Sequence, residues 1–246
     1  MRNLLITIAY DGSAYHGWQI QENAVTVQEV FQDALRRVTG LTEDLKACSR
    51  TDTGVHAREF CISLQTENPI PPERLAAALN HYLPESIAVK TCREVPMGFH
   101  ARYSCKGKEY SYEIWNHPVR DPFLVGRALH YWYPIDEKLL NAAAQHYIGR
   151  HDFTSFCTLD RRETGDLHRT VTQAQVERRG DMVFFTVTAD GFLYNMVRIM
   201  VGTLLRVQQG KLKPEDIPEI IAAKDRAKAG PTAPACGLYL NKVFYE

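Results

Sequence analysis

A carboxylate set between an arginine and a glycine stands out in the stretch "CSRTDTGVHA", residues 48 to 57. Positions 52 to 54 read Asp-Thr-Gly, the tripeptide that marks the catalytic aspartate of aspartic proteases, and Arg50 precedes Asp52 by two residues. Three roles are open to such a residue. Asp52 is half of a protease dyad, a lone catalytic carboxylate, or a turn residue that caps the backbone before Gly54.

The protease interpretation fails on its chemistry. Aspartic proteases need two carboxylates that share one proton, and the sequence contains no second Asp-[Thr/Ser]-Gly tripeptide. A homodimer would supply a second copy, but Arg50 beside each carboxylate would favour the ionised form of both and remove the shared proton. Asp52 is therefore either a lone catalytic carboxylate or a turn residue.

A cation inside a predicted apolar helix bears on that choice. Residues 191 to 207, "GFLYNMVRIMVGTLLRV", are apolar on nearly all sides of a helix, which predicts burial. Arg198 lies within this stretch, with Asn195 three residues earlier on the same face. Its guanidinium either reaches solvent or, if buried, needs a carboxylate such as Asp11, Asp52 or Asp190. Pairing with Asp52 would keep that carboxylate ionised and oriented, as a nucleophile or base requires.

Cations and aromatic rings alternate between residues 99 and 127. The cations are Arg102, Lys106, Lys108, Arg120 and Arg127, and the rings are Phe99, Tyr103, Tyr110, Tyr112 and Trp115. Such groups suit the phosphates and unstacked bases of RNA, and the alternative is a solvated strand edge with half-buried rings. The whole chain carries 29 basic and 29 acidic residues, which counts against RNA binding but hides any local surplus.

Composition places the chain among ordinary globular proteins. It has 246 residues, of which 45% are hydrophobic, and no apolar run is long enough to span a bilayer. The opening apolar stretch is too short for a secretory signal. The six cysteines form no C-x-x-C pair, which disfavours a zinc ribbon or a disulfide framework and predicts reduced thiols in the cytoplasm.

Periodicity predicts an α+β fold built from two similar α/β layers. The first half reads as strand 4–10, helix 26–38, strand 60–64, a helix after Pro72 and strand 87–95. The second half reads as strand 108–116, helix 136–148, strands 170–178 and 182–189, helix 194–207, a short helix after Pro214 and a closing strand. We expect mixed, mainly antiparallel sheets packed side by side around a central cleft, with domains 1–103 and 104–246.

The motifs of this chain resemble one enzyme family over nearly its whole length. "SRTDTGVHA" is similar to the R-T-D-x-G-V-H-A loop of the tRNA pseudouridine synthases that act on the anticodon arm. Further motifs follow in the family's order: "YDGSAYHGWQIQ", "ALNHYLP", "FHARYSCKGKEYSYEI", "GRHDFTSFC", "GFLYNMVRIMVGTL" and "APACGLYLNKVFY". Thr53, where the family often has alanine, and Arg58 with Glu59 are departures that leave the candidate catalytic positions unchanged.

The resemblance implies a function. Enzymes of this family isomerise uridine to pseudouridine at tRNA positions 38, 39 and 40, after flipping the nucleotide out of its stack. They use no cofactor or metal and act as homodimers, with one tRNA contacting both subunits. Two other classes remain as alternatives: a non-catalytic tRNA-binding module, and a glycosidase, which would need a second carboxylate as acid.

The resemblance also assigns roles to residues. Asp52 corresponds to the essential aspartate, Tyr110 to the active-site tyrosine and Arg198 to the arginine that pairs with the aspartate, while Arg50 looks like the residue that fills the vacated stack. Asp52 either attacks the sugar C1′, adds to the uracil C6, or abstracts the C2′ proton. Tyr110 either removes the C5 proton or stacks on the base.

Three further residues are expected to bind substrate. Lys108 and Arg102 supply cations for phosphates, and Leu193 forms a wall of the pocket or belongs to the core. Histidines at positions 56, 100 and 151 lack the spacing of metal ligands and are interpreted as structural or RNA-facing.

Overall fold

The structure is a computed structural model that describes residues 1–158 and 165–246. The described residues form these strands: β1 (Arg2–Tyr10), β2 (Lys46–Ala47), β3 (His56–Thr66), β4 (Ile87–Val95), β5 (Gly107–Trp115), β6 (Leu129–His130), β7 (Gly149–Asp152), β8 (His168–Arg179), β9 (Met182–Ala189) and β10 (Leu238–Phe244). The α-helices are α1 (Val27–Thr39), α2 (Pro72–Tyr82), α3 (Glu137–Gln145), α4 (Met196–Gln208) and α5 (Asp216–Ala223). Single 3₁₀ turns occur at Pro122–Leu124, Thr154–Phe156, Arg226–Lys228 and Ala235–Gly237.

The chain divides into two compact units. The first unit comprises Met1–Lys106 together with Tyr239–Glu246, and the second comprises Gly107–Leu238. Each unit contains strands and helices, with mostly antiparallel strand pairing. The predicted α+β class with mixed, mainly antiparallel sheets is confirmed.

In the first unit, β1 lies between β4 and β3 and is antiparallel to both. The short β2 pairs with β3, and β10 adds to β3 as the one parallel neighbour among the described pairs of this unit. Residues on the inner face of β1, including Leu4, Ile6 and Ile8, are fully buried, and helix α2 packs against β4. Asn3 and Leu5, which point to the other face, are buried as well, so β1 is a central strand shielded on both faces over its first half.

In the second unit, β9 lies between β5 and β8, and β7 extends the sheet beyond β8, all antiparallel. The short β6 is parallel to β5. Helix α3 packs on β8 and on α4, and α4 in turn contacts β5. Helix α4 is largely buried, as its mostly apolar sequence predicts: nine of its residues are buried, among them Ile199, Met200 and Leu204.

The last strand lies in a different unit from the one that the sequence analysis assigned to it. The predicted domains were 1–103 and 104–246, whereas the structure places the boundary after Lys106 and returns residues 239–246 to the first unit. The physical reason is long-range pairing. Tyr239 and Leu240 pair in parallel with His56 and Ala57, and the Lys106 N–H donates to the Phe244 carbonyl.

Local sequence signals set the helix ends. The Thr26 hydroxyl accepts a hydrogen bond from the Glu29 N–H and so caps α1, which Gly40 ends in the left-handed conformation, as the capping motif predicts. The predicted strands Ile87–Val95 and Met182–Ala189 have the observed bounds. The short strands β2, β6 and β7 were not predicted, because two to four residues are too few to show a period. No helix of the described residues is long and apolar enough to cross a membrane.

Asp152 ties β7 to the end of α5. Its Oδ1 accepts from the N–H and the hydroxyl of Thr154 at 3.1 and 2.5 Å, and its Oδ2 lies 2.9 Å from Nζ of Lys224. Burial acts to raise the pKa of Asp152, but these donors outweigh it and lower that pKa from 3.8 to about 2. The depressed pKa means that the folded state stabilises the charged carboxylate.

We expect Asp152→Asn to lower the free energy of unfolding at pH 7 by about 1–2 kcal/mol, allowing for the exposed Lys224. Because the folded-state pKa is depressed, this contribution is complete above pH 4 and is lost as the pH falls towards 2. Urea unfolding at several pH values measures the difference between the two proteins. Asp44→Asn is the matched control, since Asp44 is 78% exposed beside Lys46 and should change stability little. An equal loss in both variants would contradict this prediction.

Candidate active site

The Asp52 loop lies in the first unit between β2 and β3, and backbone hydrogen bonds hold it. The Trp18 N–H donates to the Thr51 carbonyl at 3.2 Å, and the Gly54 N–H donates to the Tyr15 carbonyl at 3.2 Å. The loop is thereby attached on both sides of Asp52 to the turn that follows β1. The two motifs quoted from the sequence, "YDGSAYHG" and "SRTDTGVHA", form one structural feature.

Gly17 allows this close approach. Its φ of +83° is in the left-handed region, and a Cβ at this position would lie 2.3 Å from the Thr51 carbonyl oxygen. Tyr10 adds a side-chain attachment, with its hydroxyl 2.8 Å from Oγ1 of Thr51. A loop fixed by backbone contacts can hold a reactive side chain in place with little reorganisation.

His56 supports the same loop from its C-terminal side. The ring is 1% exposed, its Nδ1 accepts from the Gly12 N–H at 3.0 Å, and the Asp11 Oδ1 lies 3.2 Å away. Tyr239 of β10 stacks on it with a centroid distance of 4.5 Å and an interplanar angle of 18°. Burial and these contacts favour the structural interpretation of this histidine over the RNA-facing one.

The charged side chains of the first unit differ in exposure. Asp52 is half-buried, whereas Arg50 and Arg102 are exposed. The Arg102 N–H donates to Nδ1 of His100 at 3.1 Å, which fixes the turn, and the neighbouring Tyr103 is 79% exposed. The structure thus presents a partly shielded carboxylate and, within the same unit, cationic side chains that are exposed at the surface.

Tyr110 lies in β5 of the second unit opposite Val187 of β9. Its side chain is 6% exposed, and Phe192 packs edge-on against the ring at a centroid distance of 5.0 Å. Lys108, two residues earlier on the strand, is half-buried. A tyrosine so enclosed has a defined orientation, which suits either a base or a stacking surface.

Tyr112, the next ring of the same strand that faces the same side, is a core residue. Tyr112 is fully buried, and its hydroxyl donates to the Pro234 carbonyl at 2.8 Å. Burial raises the pKa of Tyr112 well above its ordinary value, so this phenol stays neutral. Tyr112 therefore belongs to the core, whereas Tyr103 of the same stretch is 79% exposed.

Arg198 is held at the start of α4 by oxygen acceptors. Its Nε donates to the Ala233 carbonyl at 2.7 Å, and its Nη1 donates to Oδ1 of Asn195 at 2.9 Å. The Ala233 N–H donates back to the Arg198 carbonyl at 3.1 Å. The side chain is half-buried, not fully buried, and these two acceptors were not predicted. The sequence does place Asn195 on the same helix face as Arg198, three residues earlier. Ala233 is 35 residues away along the chain, so no local pattern could identify it as a partner.

Asn195 connects Arg198 to a further segment. It has a left-handed backbone with φ of 63°, which asparagine tolerates, and its Nδ2 donates to Oγ1 of Thr158 at 3.1 Å. Leu193, 4% exposed, and Met196, 1% exposed, lie beside it in the core. For these two residues the core alternative agrees with their burial.

A close contact within the second unit positions the loop that carries Ala233. A Cβ on Gly202 of α4 would lie 1.7 Å from the Pro231 carbonyl oxygen. Beside it, Oγ1 of Thr203 accepts from the Gly230 N–H at 2.9 Å and donates to the Ile199 carbonyl at 2.8 Å. Helix and loop therefore touch backbone to backbone, which requires glycine.

We expect Gly202→Ala to lower the free energy of unfolding by at least about 1–3 kcal/mol, because the methyl group must displace the 230–233 loop. The same displacement moves the Ala233 carbonyl away from Arg198, so the loss of activity should exceed the loss of folded protein. Thermal unfolding and activity assays on the same samples measure both effects. Gly98→Ala is the control, since nothing lies within 4 Å of its added Cβ. Equal stability of the two variants would contradict the prediction.

The described residues contain no group of three or more histidine, cysteine, aspartate or glutamate side chains that could hold a metal ion. The reactive groups they do contain are an aspartate on a fixed loop, a buried tyrosine and an oriented arginine. An ionised carboxylate can serve as nucleophile or base, a guanidinium can orient an anion, and a phenol can exchange a proton.

Comparisons with known proteins agree on one family. The model of a family described as tRNA pseudouridine synthase matches residues 6–104 and 143–246. A tRNA pseudouridine synthase A of Thermoanaerobacter sp. (strain X514) is 46% identical over 245 residues, covering 100% of both chains. Proteins with the same name from Acetivibrio thermocellus and Brevibacillus brevis are 44% and 46% identical, again over the full length of both chains.

Likeness to solved structures is weaker. A crystal structure of a Cbf5-Nop10-Gar1 complex contains a chain that is 10% identical, with a TM-score of 0.36, covering 96% of this chain and 57% of that one. A score this low supports no argument about this protein.

Proposed function

We propose a reaction for this chain on the premise that it belongs to the tRNA pseudouridine synthase family. It is an isomerase that converts uridine to pseudouridine in tRNA, and it acts at positions 38, 39 and 40 of the anticodon stem-loop. The bond between uracil N1 and the sugar C1′ breaks, and a bond between C5 and C1′ forms. The C5 hydrogen leaves as a proton and N1 gains one, so atoms and electrons balance without a cofactor.

Asp52 is the catalytic carboxylate of this proposal. The observation that carries the assignment is the fixed loop, in which the Trp18 and Gly54 N–H groups hold the backbone around a half-buried aspartate. Its first step is attack on C1′, addition to C6, or abstraction of the C2′ proton. Each of these needs an ionised, oriented carboxylate.

Arg198 supplies the cation that keeps Asp52 ionised. Two of its nitrogens donate hydrogen bonds to the Ala233 carbonyl and to Asn195, and these bonds fix the orientation of the guanidinium plane. A planar donor of this kind matches a carboxylate with paired hydrogen bonds. We propose that Asp52 and Arg198 form this pair.

Tyr110 acts on the flipped base, either as the base for the C5 proton or as a stacking surface. Its burial and its edge contact with Phe192 support a defined ring position. We also propose Leu193, which precedes α4 and is 4% exposed, as a wall of the pocket that receives the base.

Three cations bind the RNA in this proposal. Arg50 fills the stack that the uridine leaves, because its exposed guanidinium can lie flat like a base, and thereby offsets part of the cost of extrusion. Arg102 and Lys108 contact phosphates. We further propose that the protein works in the cytoplasm as a homodimer; its cysteines are present as thiols and form no disulfide among the described residues, which is compatible with a reducing compartment.

The test is incubation of the purified protein with tRNA that carries C5-tritiated uridine in its anticodon arm. Pseudouridine formation at positions 38 to 40 releases tritium to water, and nucleotide analysis should then show pseudouridine with no free uracil. Binding of tRNA without tritium release would support the non-catalytic binding module. Free uracil would support a glycosidase.

A further inference from the structure

The turn after β1, residues 10 to 17 with the sequence "YDGSAYHG", contacts both ends of the Asp52 loop. Its second glycine, Gly17, lies against Thr51 on the N-terminal side of the aspartate. Its first glycine, Gly12, lies against Val55 on the C-terminal side, where an added Cβ would be 1.9 Å from the Val55 carbonyl oxygen. The turn and the loop therefore touch backbone to backbone at two places, which requires glycine at both.

A side-chain hydrogen bond joins the turn to the loop at the second of these contacts. His56 follows Asp52 by four residues and is the first residue of β3. Its Nδ1 accepts from the Gly12 N–H at 3.0 Å, and both residues are buried. Since a buried N–H without an acceptor is strongly unfavourable, this bond ties the turn to the start of β3.

Asp11 shapes the turn that presents the Gly12 N–H. Its Oδ1 accepts from the Ser13 N–H at 3.0 Å and from the Ser13 hydroxyl, and its own N–H donates to the Ser86 carbonyl at 2.9 Å. The same Oδ1 lies 3.2 Å from Nδ1 of His56. Because Nδ1 uses its lone pair to accept from Gly12, we assign the proton of the neutral ring to Nε2.

Tyr239 fixes the plane of the imidazole ring. It is paired with His56 in the β10–β3 ladder, and the two rings stack with centroids 4.5 Å apart. The guanidinium carbon of Arg58 lies 4.3 Å from the centre of the Tyr239 ring, and Nη1 of Arg58 donates to Oδ1 of Asn241 at 2.8 Å. With the ring plane held, the bond to Gly12 sets the distance between the turn and the start of β3.

The contact at Gly12 is coupled to Asp52 through the loop itself. The Val55 N–H donates to the Asp52 carbonyl at 3.1 Å, which closes the chain into a turn over these four residues. A displacement of Val55 therefore reaches Asp52 through one hydrogen bond and a short length of backbone. Misplacement of a reactive group by about 1 Å can lower a rate by on the order of 100-fold.

We propose that His56 is a positioning residue of the reaction, which orients the Asp52 carboxylate by holding Gly12 against Val55. A ring that is 1% exposed does not contact the RNA, so its effect passes through the loop. The inference rests on the proposed catalytic role of Asp52, and it gives the turn after β1 a function. The alternative is that the bond stabilises the first unit and has no effect on the rate.

Two substitutions of the same shape test this role. Leucine and asparagine both branch at Cγ and both remove the ring, but asparagine keeps an acceptor at the place of Nδ1. His56→Leu should lower kcat for tritium release by roughly 30-fold, because the loop stays attached at Thr51 and Gly54 and moves by less than about 1 Å. KM for tRNA should stay within about two-fold of wild type, and His56→Asn should recover about 10-fold or more of the lost rate.

Ser63→Ala is the matched control from the same strand. Ser63 is 1% exposed, and its Oγ accepts from the Ala101 N–H at 2.9 Å. This substitution also leaves a buried N–H without its side-chain acceptor, but away from the Asp52 loop. Ser63→Ala and His56→Leu should both lower the melting temperature by on the order of 5 °C, whereas Ser63→Ala should keep the wild-type kcat in assays run well below that temperature.

Hydrogen exchange measures the loop without reference to the reaction. The amides of residues 49–56 should exchange at least about five-fold faster in His56→Leu than in wild type or Ser63→Ala. Equal kcat in His56→Leu and Ser63→Ala, an asparagine variant as slow as the leucine variant, or unchanged exchange would each overturn the inference. A wild type that releases no tritium would refute the reaction and the catalytic part of this inference, and the exchange rates would still decide whether His56 holds the loop.

Discussion

Replacing Asp52 by asparagine is expected to reduce tritium release from tRNA by at least about a thousand-fold, the scale seen when an enzyme loses its principal reactive group. Asparagine has nearly the shape of aspartate but no charge. The contacts that hold the loop, from Trp18 to Thr51 and from Gly54 to Tyr15, involve backbone atoms and are retained. The variant should therefore fold normally and bind tRNA within a few-fold of wild type.

Thr53→Ala is the control for the Asp52 substitution. Thr53 is the exposed neighbour in the same loop, and its side chain has no role in the proposed chemistry. Its activity should stay within a few-fold of wild type. If Asp52→Asn kept a tenth or more of the wild-type rate, Asp52 would not be the catalytic carboxylate, and the Asp-Thr-Gly tripeptide would be an ordinary turn.

Replacing Arg198 by lysine is expected to lower kcat by about 100-fold or more, because lysine keeps the positive charge but loses the planar arrangement of donors. In the structure Nε and Nη1 of Arg198 donate to the Ala233 carbonyl and to Asn195. These two hydrogen bonds orient the rest of the guanidinium. A lysine ammonium, a single point of charge, cannot serve these acceptors and orient a carboxylate together. KM for tRNA should change far less than kcat, since the effect falls on the orientation of the reactive group.

Arg206→Lys is the matched control, since Arg206 is a half-buried arginine near the other end of the same helix. It should retain wild-type activity. Adding Arg198→Lys to Asp52→Asn tests the proposed pair, because residues that act as a unit show non-additive effects. A further 100-fold loss in the double variant would mean that the two residues act separately.

Regular elements were predictable because their signal is local. A strand alternates with period two and a helix with period 3.6, so β4, β9 and α2 can be recognised from consecutive residues alone. Capping signals place helix ends equally well, as Thr26 and Gly40 show for α1. Strands of two residues carry no such period, and β2 and β6 form only because a neighbouring strand offers free backbone groups.

The candidate site was predictable to the extent that its residues lie in contiguous motifs. Asp52 in "SRTDTGVHA" and Arg198 in "MVRIM" combine an ionisable residue with a context that makes it unusual. The sequence was a poorer guide to which of these side chains are exposed to solvent. Phe192 packs against Tyr110, and the Tyr112 hydroxyl donates to the Pro234 carbonyl, so both rings are enclosed by residues far along the chain that their own strand does not reveal.

The amino-acid sequence by itself determined the types of reactive residue, the α+β class and the family to which the chain belongs. Each of these can be recognised from local periodicity or from motifs of neighbouring residues. The tertiary structure decided that Ala233 would hold Arg198, that β10 would join the first unit, and that the Tyr112 hydroxyl would donate to the Pro234 carbonyl. Each of these depends on segments far apart in the chain meeting in space. Such contacts follow from packing and backbone pairing of the whole fold, which no local periodicity specifies.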